Sequence, residues 1–168
     1  TEFDDSFLGQ VVEKWEENID KFKLLNIKVS KLRLGMVLSN EGGVLKALTP
    51  SIKIGLGSPI GSGKQFQSWI HIQDLVNMFY FLLIEEFEGT YNAVSPYPVT
   101  NKKMVQEIAK NYNRPIFLPA IPKFILKLIL GQMHEMLVSS QNVSCKKIIS
   151  EGFQFKYPTI EKALKNLI

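Results

Sequence analysis

A long helical pattern joined by a short turn to an apolar strand limits the possible folds of this chain more than any other feature. Apolar side chains recur at helical spacing over residues 7–22, and the acidic and serine residues at 4–6 are suitable N-caps. Asn26 is a suitable left-handed stop, and residues 27–34 have the aliphatic and β-branched side chains of a buried strand. A helix that leads into a buried strand in this way predicts an α/β fold made of βαβ units.

The rest of the sequence continues this alternation of strands and helices. Strands are predicted at residues 68–72, 90–94 and 153–157, and helices after the caps Asp74, Thr100 and Thr159 and at residues 44–48, 124–130, 133–138 and 145–151. The helix after Asp74 is predicted to bury Phe79 and Leu83 in its apolar stripe. No repeat or linker divides the sequence, so we expect one compact unit with a more irregular helical tail after about residue 114.

The composition is that of a globular domain, and it excludes several classes of protein. Of the 168 residues, 45% are hydrophobic and 21% are charged, which excludes disordered and low-complexity chains. Cys145 is the single cysteine in the sequence, so an internally disulfide-bonded scaffold is excluded. One cysteine and two histidines also argue against a zinc site built from these residue types.

Charge and hydropathy argue against nucleic-acid and membrane partners. The net charge of +4 is modest and spread along the chain, whereas nucleic-acid binders cluster lysine and arginine. The apolar stretch at residues 116–136 is interrupted by Lys123 and Lys127, so we expect a core-packed helix there, with an interfacial helix as the alternative, and not a membrane span. No signal-peptide pattern is present, and a cytoplasmic location is expected.

A glycine-rich loop at residues 55–64 is the first candidate for ligand binding. Gly57, Gly61 and Gly63 have a spacing close to that of a nucleotide-binding turn. Such a turn must open a helix, but Pro59 interrupts it and the residues that follow have an extended pattern. Two interpretations remain: a hairpin between two strands, or a loop whose backbone amides approach a ligand.

Two further patterns bear on catalysis. A tyrosine four residues before a lysine, which serves as an acid/base pair in many reductases, is absent because none of the five tyrosines has lysine at that position. His71 shares one face of a predicted strand with Trp69. Its imidazole is expected either to meet a substrate hydroxyl or phosphate or to form structural hydrogen bonds.

Several segments, taken in order, resemble the C-terminal portion of the NAD(P)-dependent epimerase-like proteins. These are atypical short-chain dehydrogenases/reductases, also labelled sugar-nucleotide epimerases or cell-division-inhibitor-related proteins. The segments are residues 7–16, 32–43, 55–65, 68–75, 91–96 and the tail 115–158. The resemblance implies that residues 1–114 are the C-terminal part of a doubly wound, Rossmann-like α/β domain with substrate-lobe loops. Residues 115–168 are then a small helical C-terminal domain of unknown function.

The resemblance also implies a cofactor, NAD or NADP, and two sets of site residues. The residues expected near the nicotinamide are Arg33, Gly35, Met36 and Val37. The residues expected at the substrate are Gly61, Ser62, Gly63, Gln65, Trp69 and His71. Trp69 is expected to stack on a ring, and Gln65 and His71 to bind hydroxyls or phosphate. An ion pair within the protein is the alternative role of Arg33.

The family pattern begins with a glycine-rich unit that holds the coenzyme pyrophosphate, and this sequence has no such unit. We therefore expect a fragment that lacks on the order of 100 residues and is inactive alone. The whole protein is expected to be a nucleotide-sugar epimerase or oxidoreductase that uses NAD(P) for hydride transfer. The alternative is a non-catalytic binding or interaction module of the same fold. An open sheet edge in such a fragment predicts self-association or a homo-oligomer.

Overall fold

The computed structural model describes residues 7–130 and 138–168. Its helices are α1 (Phe7–Asp20), a 3-10 helix (Lys21–Leu25), α2 (Gly43–Lys53), α3 (Ile72–Ile84), α4 (Asn101–Asn111), α5 (Lys123–Leu130), α6 (Lys146–Ser150) and α7 (Ile160–Leu167). Its strands are β1 (Ser30–Leu34), β2 (Met36–Leu38), β3 (Phe66–Gln67), β4 (Trp69–His71), β5 (Gly89–Ala93) and β6 (Val99–Thr100). The predicted caps at residues 4–6 and nearly all of the predicted helix at 133–138 lie outside the described residues.

The signals that end and begin helices act where the sequence predicts them. Asn26 follows the 3-10 helix with φ of 56°, a left-handed conformation that asparagine tolerates. Thr100 and Thr159 cap α4 and α7, and each side chain accepts a hydrogen bond from a backbone N–H of the first turn. These signals are local, so they form without help from the rest of the fold.

The strands confirm an α/β fold with parallel pairing. β1 pairs with β5 and β2 pairs with β4, both in parallel, whereas the short β3 and β6 are antiparallel. Gly35 marks the point where one run of chain changes partner. Its N–H donates to the carbonyl of Ala93 at 3.2 Å, and the next N–H, of Met36, donates to Ser68 at 2.9 Å. The chain before Gly35 therefore pairs with β5, and the chain after it pairs with β4.

The two halves of the core lie on opposite faces of β4. Trp69 packs with the apolar faces of α2, α4 and α7, and the adjacent Ile70 packs with α3, β5 and α6. Neighbouring residues of a strand point to opposite faces, so one short strand contributes to both clusters. Because residues of α7 share a cluster with Trp69, the tail is packed against the rest of the chain. The predicted boundary between two domains at residues 114 and 115 stays a prediction.

Three local expectations were wrong. Asp74 does not cap α3: the helix begins one residue after His71, whose side chain accepts from the N–H of Gln73, and Asp74 lies inside the first turn. Residues 153–157 are not a strand, because their backbone turns toward the Asp74 carboxylate. The glycine-rich loop is not a hairpin, since it connects α2 to β3, whose partner is the later strand β6.

Two apolar surfaces that were expected to be buried are exposed. In α3, Phe79 is 54% exposed and Leu83 is 74% exposed, although the other predicted stripe residues are buried. In α5, Phe124 and Leu128 also face solvent, so that helix is not packed in the core along its described side chains. The periodicity finds the apolar face of a helix, but it does not show how much of that face the described chain covers.

Candidate functional site

Arg33, predicted near the cofactor, forms an ion pair with α1. Its Nε and one terminal nitrogen donate to the two carboxylate oxygens of Glu16 at 2.7 and 3.1 Å, a two-point contact. Lys31, two residues earlier on the same face of β1, lies 3.2 Å from Glu16 and 2.9 Å from Asp20. The hydrogen bond from Arg33 holds the pKa of Glu16 below its usual value, against the opposing effect of burial. This contact fixes α1 on the sheet.

At Gly35, Met36 and Val37 the alternation of side chains between the two faces of the sheet shifts by one residue. Leu32 and Val37 pack against the same core cluster, although strict alternation would place them on opposite faces. Gly35 permits this offset, because a Cβ there would lie 2.7 Å from the Ser68 carbonyl oxygen and 2.7 Å from the Val94 side chain. Met36 and Val37 are half-buried, and they lead to the carboxyl end of β2.

The glycine loop is held by the chain itself. The N–H of Gly61 donates to the carbonyl of Ile121 at 2.8 Å, and the N–H of Gly63 donates to Ile60 at 3.0 Å. Both glycines have positive φ, at 60° and 69°, a region that side-chain-bearing residues rarely adopt. Ser62 lies between them with its side chain exposed. The loop is thus a turn docked on the tail, and its exposed residue faces outward.

Gln65 and Trp69 both point into the protein. Gln65 donates from Nε2 to the carbonyl of Ile60 at 2.9 Å, and its Oε1 lies 3.4 Å from the Ser62 hydroxyl. Trp69 has no exposed surface, and its indole N–H donates to the carbonyl of Tyr97 at 3.0 Å. The predicted stacking of Trp69 on a substrate ring needs an open indole face, and the structure shows none.

Both ring nitrogens of His71 and one face of its ring have partners within the protein. Its Nδ1 accepts the N–H of Gln73 at 2.9 Å, so the proton lies on Nε2, which faces Oδ1 of Asn166 at 3.1 Å. The ring stacks on Tyr157 with centroids 3.9 Å apart. Burial lowers the pKa of the imidazole, while the charge of Asp74 acts in the opposite direction. In this structure the imidazole forms hydrogen bonds within the protein, which is the second of the two roles expected for it.

Two residues whose role the sequence analysis did not predict, Asp74 and Ser68, join the site to the tail. Asp74 has no exposed surface and accepts the backbone N–H groups of Lys156 and Tyr157, each at 2.9 Å. Ser68 accepts the N–H of Val143 at 2.9 Å and donates to the carbonyl of Gln141 at 2.9 Å. No signal in a single sequence identifies backbone partners more than 70 positions away. These hydrogen bonds therefore attach the tail at both ends of β4, the strand that carries Trp69 and His71.

Gln67 differs from these neighbours. It is 8% exposed, and its Oε1 has no hydrogen-bond partner among the described residues. A buried amide oxygen without a partner lowers stability, so this position stands out in a site whose other polar groups are paired. The alternation of β3 places it on the face opposite to Phe66, which is exposed.

No described helix is a candidate membrane span. Every helix within residues 7–130 and 138–168 is too short or too polar to cross a lipid bilayer. The longest is α1, with 14 residues, and a span needs roughly 20.

Comparison with known proteins shows which proteins this chain is similar to. Residues 121–167 match the model of a domain of unknown function, DUF1731. The chain is 38% identical over 163 residues to an epimerase family protein of Staphylococcus aureus strain N315, covering 96% of this chain and 54% of that protein. It is 34% identical to the Arabidopsis thaliana protein named epimerase family protein SDR39U1 homolog, chloroplastic, covering 96% of this chain and 46% of that protein.

Solved structures of epimerase proteins are also similar to this chain. Human epimerase family protein SDR39U1 (isoform 2), crystallised with NADPH, matches 98% of this chain and 56% of its own with a TM-score of 0.88 and 30% identity. The nucleoside-diphosphate sugar epimerase of Corynebacterium glutamicum matches 97% of this chain and 31% of its own, with a TM-score of 0.76 and 26% identity. The chain spans about half the length of the curated relatives it matches. By sequence and by fold, it corresponds to the C-terminal portion of the epimerase family proteins and includes their C-terminal domain of unknown function.

Proposed function

We propose that this chain is the C-terminal, substrate-side portion of an NAD(P)-dependent protein that acts on a nucleotide-sugar or a similar hydroxyl compound. The observation that carries the proposal is the match of almost the whole chain to one part of a family whose human structure contains NADPH. Because the chain spans about half of its curated relatives, the proposal assigns the coenzyme pyrophosphate to sequence that this chain does not contain.

The carboxyl end of β2 is the proposed contact with the coenzyme. Ligands of open α/β sheets lie beyond the carboxyl ends of strands, and Met36 and Val37 lead to that end. Their half-buried apolar side chains fit the ring of a nicotinamide, whereas the glycine-rich loop at residues 55–64 leads into β3 and opens no helix for phosphates. When bound, the coenzyme supplies hydride transfer at a hydroxyl-bearing carbon. Arg33 acts here by holding α1 through Glu16, and Gly35 by allowing β4 to approach.

The proposed substrate contacts fall into two groups. Ser62, in the turn between Gly61 and Gly63, has an exposed side chain and is the member of the predicted set best placed to meet a substrate hydroxyl. Gln65 sets the shape of that turn through Ile60. Trp69 and His71 are buried and fix the strand beneath it, so we assign them positioning roles.

Coenzyme binding by a longer chain tests this proposal. Intrinsic tryptophan fluorescence would be titrated with NADPH and NADH, first on this chain and then on a fusion. The fusion places the part of the staphylococcal relative that this chain does not match ahead of residue 1. We expect no saturable binding by the chain alone and saturable binding by the fusion. Tight binding by the chain alone, or a folded fusion that binds neither coenzyme, would refute the proposal.

A non-catalytic binding module is the second candidate. One observation favours it: Gln65, Trp69 and His71 all have partners within the protein, which leaves few polar groups of this portion free for chemistry. A fusion that binds NADPH but neither oxidises it with nor epimerises any nucleotide-sugar substrate would support this candidate. Turnover of one such substrate would exclude it.

A further inference from the structure

The loop that follows α2 and the segment that leads into α5 lie side by side. A Cβ at Gly57 would lie 3.0 Å from Cδ1 of Ile116, so the two segments are in close contact there. The N–H of Ile121 donates to the carbonyl of Pro59 at 2.8 Å, and α5 begins two residues later. The loop and α5 are therefore parts of one continuous surface.

This surface, which we call the loop–α5 surface, consists of residues 54–59 and 114–128. It exposes large apolar side chains, each between 41% and 87% accessible: Ile54, Leu56, Phe117, Leu118, Phe124 and Leu128. Single exposed apolar residues are ordinary on a protein surface, but a group of them on adjoining segments indicates an interaction surface.

The loop–α5 surface also carries the excess positive charge of the chain. Residues 42–73 and 108–134, which contain this surface, hold seven of the 20 lysine and arginine residues and none of the 16 aspartate and glutamate residues. The remaining sequence has 13 basic and 16 acidic residues, so the net charge of +4 comes from these two stretches. Four basic side chains on or beside the surface are exposed and form no ion pair with a described residue: Lys53, Lys110, Arg114 and Lys127.

The exposed apolar stripes of α1 and α3 lie among acidic residues. The first shares its helix with Glu13, Glu16, Glu17 and Asp20. The second is followed by Glu85, Glu86 and Glu88, and the sequence has no lysine or arginine within residues 74–101. Compared with these two stripes, the loop–α5 surface is the one whose charge favours an anionic partner.

We propose that the loop–α5 surface binds the anionic surface of a lipid bilayer, with α5 lying in the plane of the headgroups. Phe124 and Leu128 are one helical turn apart on one exposed side of α5, and Lys127 flanks them. The apolar side chains enter the boundary between headgroups and acyl chains, while the basic side chains contact lipid phosphates. This is the interfacial helix that the sequence left open as an alternative, and the exposure of α5 supports it. The inference goes beyond the proposed function and does not depend on it.

The kind of apolar residue distinguishes a bilayer from nucleic acid as the partner. Proteins bind single-stranded nucleic acid with basic and aromatic side chains, because bases stack on aromatic rings. Ile54, Leu56 and Leu128 have aliphatic side chains that offer no such stacking, whereas burial among acyl chains removes them from water. Surface-binding helices combine both kinds of contact, apolar burial and attraction to anionic lipids.

Flotation with lipid vesicles tests the inference. This chain and the fusion with the unmatched part of the staphylococcal relative are each mixed with two kinds of vesicle, without coenzyme. One is pure phosphatidylcholine, and the other has equal parts of phosphatidylcholine and phosphatidylglycerol. We expect both proteins to bind the anionic vesicles about tenfold or more tightly than the neutral ones, and the difference to shrink at high salt.

Three results of this experiment would overturn the inference. The first is binding to neither kind of vesicle, and the second is equal binding to both kinds. The third is binding by the chain but not by the fusion, which would mean that the rest of the longer protein covers this surface. A fusion that binds NADPH but no vesicles would thus refute the inference and leave the proposed function standing.

Two matched pairs of variants of this chain locate the binding surface. Leu128→Gln and Leu83→Gln remove the same apolar side chain from exposed positions of α5 and α3. Lys127→Gln and Lys14→Gln remove the same charge from exposed positions of α5 and α1. We expect each α5 variant to weaken binding to anionic vesicles about fivefold or more, and each control by less than about twofold. Equal effects within a pair would overturn the inference, as would a loss for Lys127→Gln without one for Leu128→Gln, the result expected of purely electrostatic attraction.

The depth of α5 in the bilayer is measured by fluorescence quenching. Leu128→Trp and its control Leu83→Trp place an added indole on α5 or on α3, and brominated acyl chains quench indoles that reach them. We expect anionic vesicles with brominated lipids to quench Leu128→Trp more than the original protein, and Leu83→Trp no more than the original protein. Vesicle binding without this added quenching of Leu128→Trp would show that α5 does not enter the bilayer, and the inference would fail.

Discussion

Asp74 and Tyr157 are 83 positions apart, and a hydrogen bond of 2.9 Å joins the carboxylate of the first to the backbone N–H of the second. The other carboxylate oxygen of Asp74 accepts the N–H of Lys156, also at 2.9 Å. The carboxylate has no exposed surface, so both oxygens depend on these two donors in place of water. The first turn of α3 thereby holds the irregular segment that leads into α7.

We predict that Asp74→Asn destabilises the chain by about 1–3 kcal/mol. An amide has one acceptor oxygen, so one backbone N–H loses its partner, and the amide NH₂ group faces a donor. Urea unfolding measures the change, and Gln73→Ala, at the exposed position before it, is the control with an expected effect within about 0.5 kcal/mol. Equal unfolding midpoints for Asp74→Asn and the original protein would show that these contacts add nothing.

The contrast between Asp74 and Thr100 shows what the sequence could predict. Thr100 bonds to a backbone N–H three residues away, so a local pattern was enough to find it. Asp74 has the same residue chemistry at a helix start, but its partners come from the tail, and the sequence gives no distance between the two. The same reason explains the exposed Leu83, because periodicity defines a helix face and not its neighbour. The resemblance located the family, while the partners of His71 and Arg33 required coordinates.

The offset of the strand at Gly35 predicts a difference between two glycines. Gly35→Ala would place a Cβ 2.7 Å from the Ser68 carbonyl oxygen, and a backbone atom cannot move aside easily. We expect a loss of about 1–3 kcal/mol, as for other overpacked sites. Gly42→Ala is the control, since nothing lies within 4 Å of its Cβ and its φ of −167° is extended backbone. Thermal unfolding of both variants decides the point, and similar melting temperatures would argue against a close contact at Gly35.

The buried imidazole of His71 predicts a loss of stability in mild acid. Its pKa is lowered from 6.5, so the unfolded chain takes up a proton before the folded one does. The contribution is fully present above about pH 6.5 and is lost as the pH falls toward the lower pKa of the folded state. One proton gives a slope of at most about 1.4 kcal/mol per pH unit. Urea unfolding of the original protein and of His71→Asn, from pH 8 to 5, measures it.

The contribution of His71 is the difference in the free energy of unfolding between the original protein and His71→Asn at each pH. Groups that the two proteins share cancel in this difference, and asparagine retains an acceptor for the helix cap. Parallel curves for the two proteins over this range would mean that His71 ionises equally in the folded and unfolded states.

The two-point contact between Arg33 and Glu16 predicts measurable coupling. The pair is mostly buried, and Lys31 also contacts Glu16, so the single variants Arg33→Ala and Glu16→Ala should share one lost interaction. A double-mutant cycle in urea should give a coupling of about 0.5–1.5 kcal/mol at low salt, reduced at 1 M salt. Lys14→Ala, on the exposed side of α1, replaces Glu16→Ala in the control cycle. Additive losses for Arg33 and Glu16 would mean that the two side chains do not stabilise each other in solution.

Gln67 and Gln65 are buried amides two positions apart, and we predict opposite outcomes when each is replaced by methionine. The carbonyl of Ile60 accepts from Gln65 and from the N–H of Gly63, so Gln65→Met removes one of these two hydrogen bonds and should cost about 0.5–1.5 kcal/mol. Gln67 has an Oε1 without a partner among the described residues, so Gln67→Met removes a desolvated oxygen and keeps the volume, with an expected change between zero and a gain of about 1 kcal/mol. Urea unfolding at pH 8 compares the two variants. A loss at Gln67 as large as that at Gln65 would mean that its oxygen has a partner in solution, and hydrogen exchange of neighbouring amides would then locate it.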